Sequence, residues 1–170
     1  MNPAAPRPPV VLVGPMGAGK TRVGKRVARL LDVGFTDTDR VVVAEHGPIA
    51  DLFAEHGEPY FRALERDAVV RALATGDVVS LGGGAVLDPQ TQADLRGHRV
   101  VFLTVTARAV EGRLGDGKRP LIRDGVNDWQ RIFDERRDIY QGLSGLTIDT
   151  SHRPSDAIAE EVAAWATTPA

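Results

Sequence analysis

Val10-Val11-Leu12-Val13-Gly14-Pro15-Met16-Gly17-Ala18-Gly19-Lys20-Thr21 is the stretch that decides how the remaining residues are read. Its first four residues are an unbroken apolar run, as expected of a strand covered on both faces. Its last eight fit G-x-x-x-x-G-K-S/T without a gap. From Lys20 to Leu31 the apolar residues Val23, Val27, Leu30 and Leu31 fall on one helical stripe. Strand, glycine-rich turn and helix start, in that order, form the context in which this spacing cradles phosphate. Gly17 and Gly19 allow backbone turns closed to other residues, so that successive amides around Ala18 point inward at an anion. The start of the Lys20 helix adds partial positive charge. Lys20 is expected to reach the β- and γ-phosphates of a nucleotide, and the Thr21 hydroxyl to ligate Mg2+.

Further along, Val78–Leu81, Arg99–Thr104 and Leu146–Asp149 read as buried strands, with Gly34–Asp37 as a weaker fifth. Helical patterns lie between and after them, at Glu58–Ala74, Asp128–Tyr140 and Pro154–Ala166. Strands alternating with helices predict an α/β, doubly wound parallel sheet with right-handed crossovers, whose ligands sit at the carboxyl ends of the strands. The length of 170 residues suits a single domain spanning 1–170. Met1–Pro9 holds four prolines and is expected to be a flexible arm.

Apolar residues make up 42% and charged residues 26%, an ordinary globular composition that argues against disorder. The net charge of −2 gives no electrostatic footprint for nucleic acid or an anionic membrane. With no cysteine, thiol catalysis and cysteine-ligated metals are excluded. His46, His56, His98 and His152 show no metal-site spacing and are expected on the surface or in loops. No run approaches the roughly 20 apolar residues that span a bilayer, so a cytoplasmic protein is expected, with a monomer as the default. Lys20, Lys25 and Lys118 are the only lysines, and none opens an N/T-K-x-D motif, which disfavours a GTP switch.

Four further segments fall where an acceptor would sit. Asp37-Thr38-Asp39 ends the weak strand; Asp37 is placed to hold magnesium, through a water, and Asp39 to face an acceptor hydroxyl, although a capping aspartate explains the same letters. Arg62 and Glu65, three apart on a helix, form either a surface pair or a carboxylate clamp in which Glu65 steadies the guanidinium. Gly82-Gly83-Gly84 follows a strand and permits close approach of another molecule to the backbone. Residues 112–125, with Gly112, Arg113, Gly115, Gly117, Lys118 and Arg119, read as a mobile lid that presents Arg119 to the transferring phosphate and excludes water.

Together these segments resemble the shikimate kinase family, a branch of the nucleoside-monophosphate-kinase-like phosphate-loop (P-loop NTPase) proteins. The resemblance runs from about Val10 to Ala163 and rests on Asp37-Thr38-Asp39, Phe61-Arg62-x-x-Glu65, Leu81-Gly82-Gly83-Gly84, Arg119-Pro120-Leu121, and Arg136 four residues before Tyr140. It implies a three-layer α-β-α sandwich on a five-stranded parallel sheet of order 2-3-1-4-5. It also implies phosphoryl transfer from ATP, with Mg2+, to the 3-hydroxyl of shikimate. Carried over by position, Gly17, Ala18, Gly19, Lys20 and Thr21 bind nucleotide, with Arg119 from the lid and Arg153 against adenine. Asp39, Arg62, Gly83, Gly84 and Arg136 bind shikimate, and Lys20, Asp39 and Arg119 carry the chemistry. The chain departs from the family pattern in a shorter lid, a shortened Glu45–Ile49 segment, and Arg137-Asp138 where a proline is common. A gluconate-type kinase and a non-catalytic ATP-binding switch are the alternatives; neither needs this acceptor constellation.

Overall fold

The computed structural model describes residues 10–113 and 125–169. The proposed arm at 1–9 and lid residues 114–124, Lys118 and Arg119 among them, lie outside the described residues.

In chain order the elements are β1 (Val10–Val13), α1 (Lys20–Leu31), β2 (Phe35–Asp37), α2 (Thr38–His46), α3 (Ile49–His56), α4 (Glu58–Leu73), β3 (Val78–Ser80), α5 (Pro89–Leu95), β4 (Arg99–Thr104), α6 (Ala107–Glu111), α7 (Gly125–Leu143), β5 (Leu146–Asp149) and α8 (Ser155–Ala166). The five strands form one parallel sheet in the order β2-β3-β1-β4-β5, with helices on both sides. The expected strand order is therefore the observed one.

β1 is central, and all four of its residues are buried, which is why its sequence does not alternate. The chain leaves β1 for the β2 edge, returns through β3, then crosses to β4 and β5 on the other side. The connections on the two sides of β1 run apart, and a cleft opens at the carboxyl ends of β1 and β3. The main core packs Val11, Leu12, Val79, Val101 and Leu103 of the sheet against Val23 and Val27 of α1, Trp129 and Phe133 of α7, and Ile158 and Val162 of α8. Leu30, expected on the buried stripe of α1, is instead 55% exposed, because the buried face runs through Val23, Gly24, Val27 and Ala28 and is continued by Leu31, leaving Leu30 at its margin.

α2, α3, α5 and α6 were not anticipated. α2 and α3 pack on α4 and build a separate small core from Val42, Leu52, Phe61 and Ala68. α7 is longer than expected at both ends, which puts Arg136 in the body of the helix and not near its terminus.

Candidate active site

The phosphate loop leaves β1 through Gly14, Gly17 and Gly19, at φ +144°, +83° and +90°. At Gly14 a Cβ would overlap the Leu103 carbonyl, so glycine is required there on both conformational and steric grounds. Gly19 enters α1 in the left-handed region and no side chain caps the helix. Its first amides are thereby left to a ligand. Lys20 Nζ donates to the carbonyls of Gly14 (2.8 Å) and Pro15 (3.0 Å), folded back over the loop that it would leave to meet a phosphate.

Three donors hold this loop from other parts of the fold. Trp129 Nε1 donates to the Met16 carbonyl at 2.7 Å, Arg113 to that of Gly17 at 2.9 Å, and the Thr150 hydroxyl to that of Ala18 at 2.7 Å. In a planar trans peptide the next N–H points opposite to the carbonyl. The three anchors therefore set how the amides of Gly17, Ala18 and Gly19 are presented. Nothing in the sequence signalled them, since the partners lie 96 to 132 residues apart.

Thr21 Oγ1 donates to Asp37 Oδ2 at 2.7 Å, and Asp37 Oδ1 accepts from the Arg40 amide at 3.2 Å, capping α2. Asp37 is therefore both the helix cap and the partner of Thr21. A hydroxyl and a carboxylate in contact beside the phosphate loop are hard oxygen donors of the kind magnesium takes, with phosphate and water completing the shell. Among the described residues no group of three or more His, Cys, Asp or Glu could hold a metal by itself.

Across the cleft, Thr38 is fully buried; its hydroxyl accepts from the Gly82 amide at 3.3 Å and lies 3.4 Å from the Ser80 carbonyl oxygen. This stitches the first turn of α2 to the end of β3 and places Asp39 against Gly82. A Cβ at Gly82 would overlap Asp39 Oδ1, and one at Gly84 would overlap both terminal nitrogens of Arg62. At Gly83 a Cβ would be 3.6 Å from Arg136 Nη1 and from Tyr140 Oη. Gly82 and Gly84 thus make room for the protein's own Asp39 and Arg62 side chains, in addition to any close approach by a ligand, whereas a methyl at Gly83 would be in ordinary contact.

Arg62 donates to Glu65 at 2.8 Å and to Glu58 at 3.1 Å. Glu65 is only 3% exposed, so this is no surface pair. Burial pushes its carboxyl up to about 7 against the attraction of Arg62, with Asp39 raising it further and Arg136 opposing. Burial works against the Arg62 charge too, yet Glu65 and Glu58 hold its pKa above the ordinary arginine value. Arg136 is buried at 8% exposure, and Tyr140 donates to the Gly83 carbonyl at 2.5 Å.

One cleft of about 520 Å3 is lined by Gly17, Gly19, Lys20, Thr21, Asp37, Asp39, Arg62, Gly83, Gly84 and Arg136 together. Ile49, Phe53 and Phe61 add an apolar wall that the sequence reading did not foresee. Arg153 is not among the lining residues; it pairs with Glu161 of α8 at 2.7 Å. The arrangement suits transfer between an anion-bearing donor at the glycine loop and a hydroxylated acid clamped by two guanidinium groups.

The family described as shikimate kinase matches this chain over residues 16–167. The shikimate kinase of Salinispora arenicola is 47% identical over 163 residues, covering 92% of this chain and 96% of the relative. That of Thermobifida fusca is 46% identical over 161 residues, covering 92% and 94%. Among solved structures, shikimate kinase from Acinetobacter baumannii in complex with shikimate superposes with a TM-score of 0.86 at 29% identity, over 91% of this chain and 90% of that one. A sheet of this order, a phosphate loop facing two arginines and an aspartate, and likeness over nine-tenths of the length lead to one conclusion: the chain belongs to the shikimate kinase family.

Proposed function

We propose that this chain transfers the γ-phosphoryl group of ATP to the 3-hydroxyl of shikimate, giving shikimate 3-phosphate and ADP. The observation that carries the reading is the single cleft in which the phosphate loop faces Asp39, Arg62 and Arg136. A switch that binds ATP only to change shape has no use for the second wall.

Phosphoryl transfer passes through a loose transition state, so placement and charge neutralisation outweigh base strength. The amides of Gly17, Ala18 and Gly19 and the start of α1 bind the phosphates. Lys20 leaves the Gly14 and Pro15 carbonyls to meet the β- and γ-oxygens. Thr21 directly, and Asp37 through a water, would hold Mg2+, which when bound neutralises phosphate charge. Arg62 and Arg136 fork onto the acceptor carboxylate, with Glu65 steadying Arg62, while Gly83 and Gly84 bring backbone up to the ring. Asp39 orients the attacking hydroxyl and accepts its proton. Arg119, outside the described residues, is assigned to the transferring phosphate through the lid, and Arg153 to the adenine side. The pair with Glu161 engages the edge of the Arg153 guanidinium and leaves its planar face for the base.

Among the described residues no helix is long and apolar enough to cross a membrane. The reading takes the protein as a cytoplasmic monomer that binds neither nucleic acid nor membrane.

ADP release from the purified protein with magnesium and ATP tests it, with shikimate, gluconate or no acceptor added. Stimulation by shikimate alone is expected. Equal stimulation by gluconate would move the acceptor to a broader class of polyhydroxy acid, and ATP binding without stimulation by either would refute the kinase reading.

A further inference from the structure

Tyr140 is 1% exposed, and its ring joins Phe102 and Phe133 in a three-ring cluster, with centroids 5.3 and 6.4 Å away. A phenylalanine would fill that space equally well, so packing does not explain the hydroxyl. Burying a hydroxyl is unfavourable unless it is bonded. This one is bonded: it donates to the Gly83 carbonyl at 2.5 Å. The Arg136 guanidinium, one helical turn earlier on α7, stands beside it: Arg136 Nη1 and the Tyr140 hydroxyl are each 3.6 Å from where a Gly83 Cβ would lie, and the guanidinium charge acts on the phenol. The hydroxyl therefore spends its proton on the glycine run after β3 and leaves its oxygen lone pairs beside a buried arginine.

We propose that Tyr140 is a positioning residue for the acceptor: its hydroxyl locks the Gly83 peptide and the Arg136 guanidinium into one arrangement, so that the acceptor carboxylate and ring meet both at once. The proposal rests on the assignment of Arg136 and Gly83 to acceptor binding. Because the peptide is planar, fixing the Gly83 carbonyl also fixes the direction of the Gly84 N–H. Among the described residues Arg136 makes no ion pair within 4 Å, and Glu65 acts on it only through its charge, so losing the Tyr140 oxygen leaves its orientation less determined. Burial holds the phenol at a pKa of about 12, so the hydroxyl keeps its proton, and its donor role, throughout the neutral range.

The test is steady-state kinetics of the wild-type chain, Tyr140→Phe, Arg136→Lys and the double variant, with melting temperatures beside them. Tyr140→Phe should raise the KM for shikimate roughly tenfold, the size of one lost buried hydrogen bond, with kcat and the KM for ATP within about twofold. In the Arg136→Lys background the same change should have little further effect, because residues acting as one unit are not additive. An unchanged shikimate KM would overturn the proposal. So would equal rises in both KM values, or the same factor in both backgrounds, since each marks a general structural role. A Tyr140→Phe chain that does not fold would also overturn it, by making the hydroxyl a requirement of the core. A wild-type chain inactive toward shikimate refutes the acceptor assignment itself; an active one with an unaffected variant refutes this proposal alone.

Discussion

Gly84→Ala separates acceptor binding from folding more cleanly than any direct change to Arg62. Gly84 has φ −96° and ψ −2°, a conformation open to alanine. Replacing glycine there should stabilise the fold by about 0.4–1 kcal/mol through the unfolded chain. The new Cβ would overlap both terminal nitrogens of Arg62 and lie 2.6 Å from its Cζ. What must yield is the far end of a flexible side chain, not the backbone. Arg62 swings out and leaves Glu65, which is already held near neutral pH and can take up a proton in place of the lost partner. The two effects on stability oppose each other, and the melting temperature should stay close to that of the wild type. Acceptor binding loses a forked, charge-assisted contact worth about 1.5–3 kcal/mol, which is a rise in the shikimate KM of roughly tenfold to a hundredfold. ADP release measured against shikimate concentration reads the KM, and a thermal melt reads the fold. Adding Arg62→Ala to Gly84→Ala should produce little further rise, because the second change removes what the first displaced. A wild-type KM in a folded Gly84→Ala chain would refute either the placement of Arg62 or its role as clamp. Additive effects would show that the new methyl acts on the ligand directly.

Glu65→Gln should change how stability depends on pH. With its folded pKa at about 7 against 4.5 for the free group, the native state holds a proton that the unfolded chain has already lost between those values. Stability from this group therefore falls as pH rises from about 4.5 to 7, by on the order of 3 kcal/mol; melts at pH 5 and pH 8 should diverge for the wild type more than for the variant, and parallel curves would reject the burial argument. Asp39→Asn should lower kcat by roughly 10² to 10⁴ while leaving the KM for ATP nearly unchanged; a kcat within tenfold of wild type would reduce Asp39 to a positioning group. In a Trp165→Phe background Trp129 is the only indole, and its N–H is bonded to the phosphate-loop carbonyl of Met16. Its emission should shift on adding ADP with magnesium, and a constant spectrum at ADP concentrations shown by dialysis to bind would mean that the loop does not move against α7.

The parts of this protein legible in its sequence are those whose signal is local. β1 with α1 is one continuous pattern, and the observed bounds of both are the expected ones. α2 and α3 were missed because their signal is weak for a physical reason. Thr38–His46 carries Val41-Val42-Val43, a β-branched run that reads against a helix, and only Val42 of the three is fully buried. α3 buries only Leu52. Their helices are sustained by packing on α4, which no local pattern records.

The same division explains the site. The motifs single out Asp39, Arg62, Gly83, Gly84 and Arg136, and the structure gathers them on one cleft, but the reason each is held where it is depends on partners elsewhere in the fold. Whether Arg62 and Glu65 form a surface pair or a buried clamp is invisible in a three-residue spacing and is decided by what lies above them. Gly82 and Gly84 are glycines because Asp39 and Arg62, 43 and 22 positions away in the sequence, occupy the volume a Cβ would fill. In each case the residue's identity is short-range information and its support is long-range. α7 combines the two, carrying Trp129 to the phosphate loop, Arg136 to the cleft and Tyr140 to the glycine run on one element. A displacement of that helix would disturb donor and acceptor together, so its register against β4 is as much a part of the site as any residue that touches substrate.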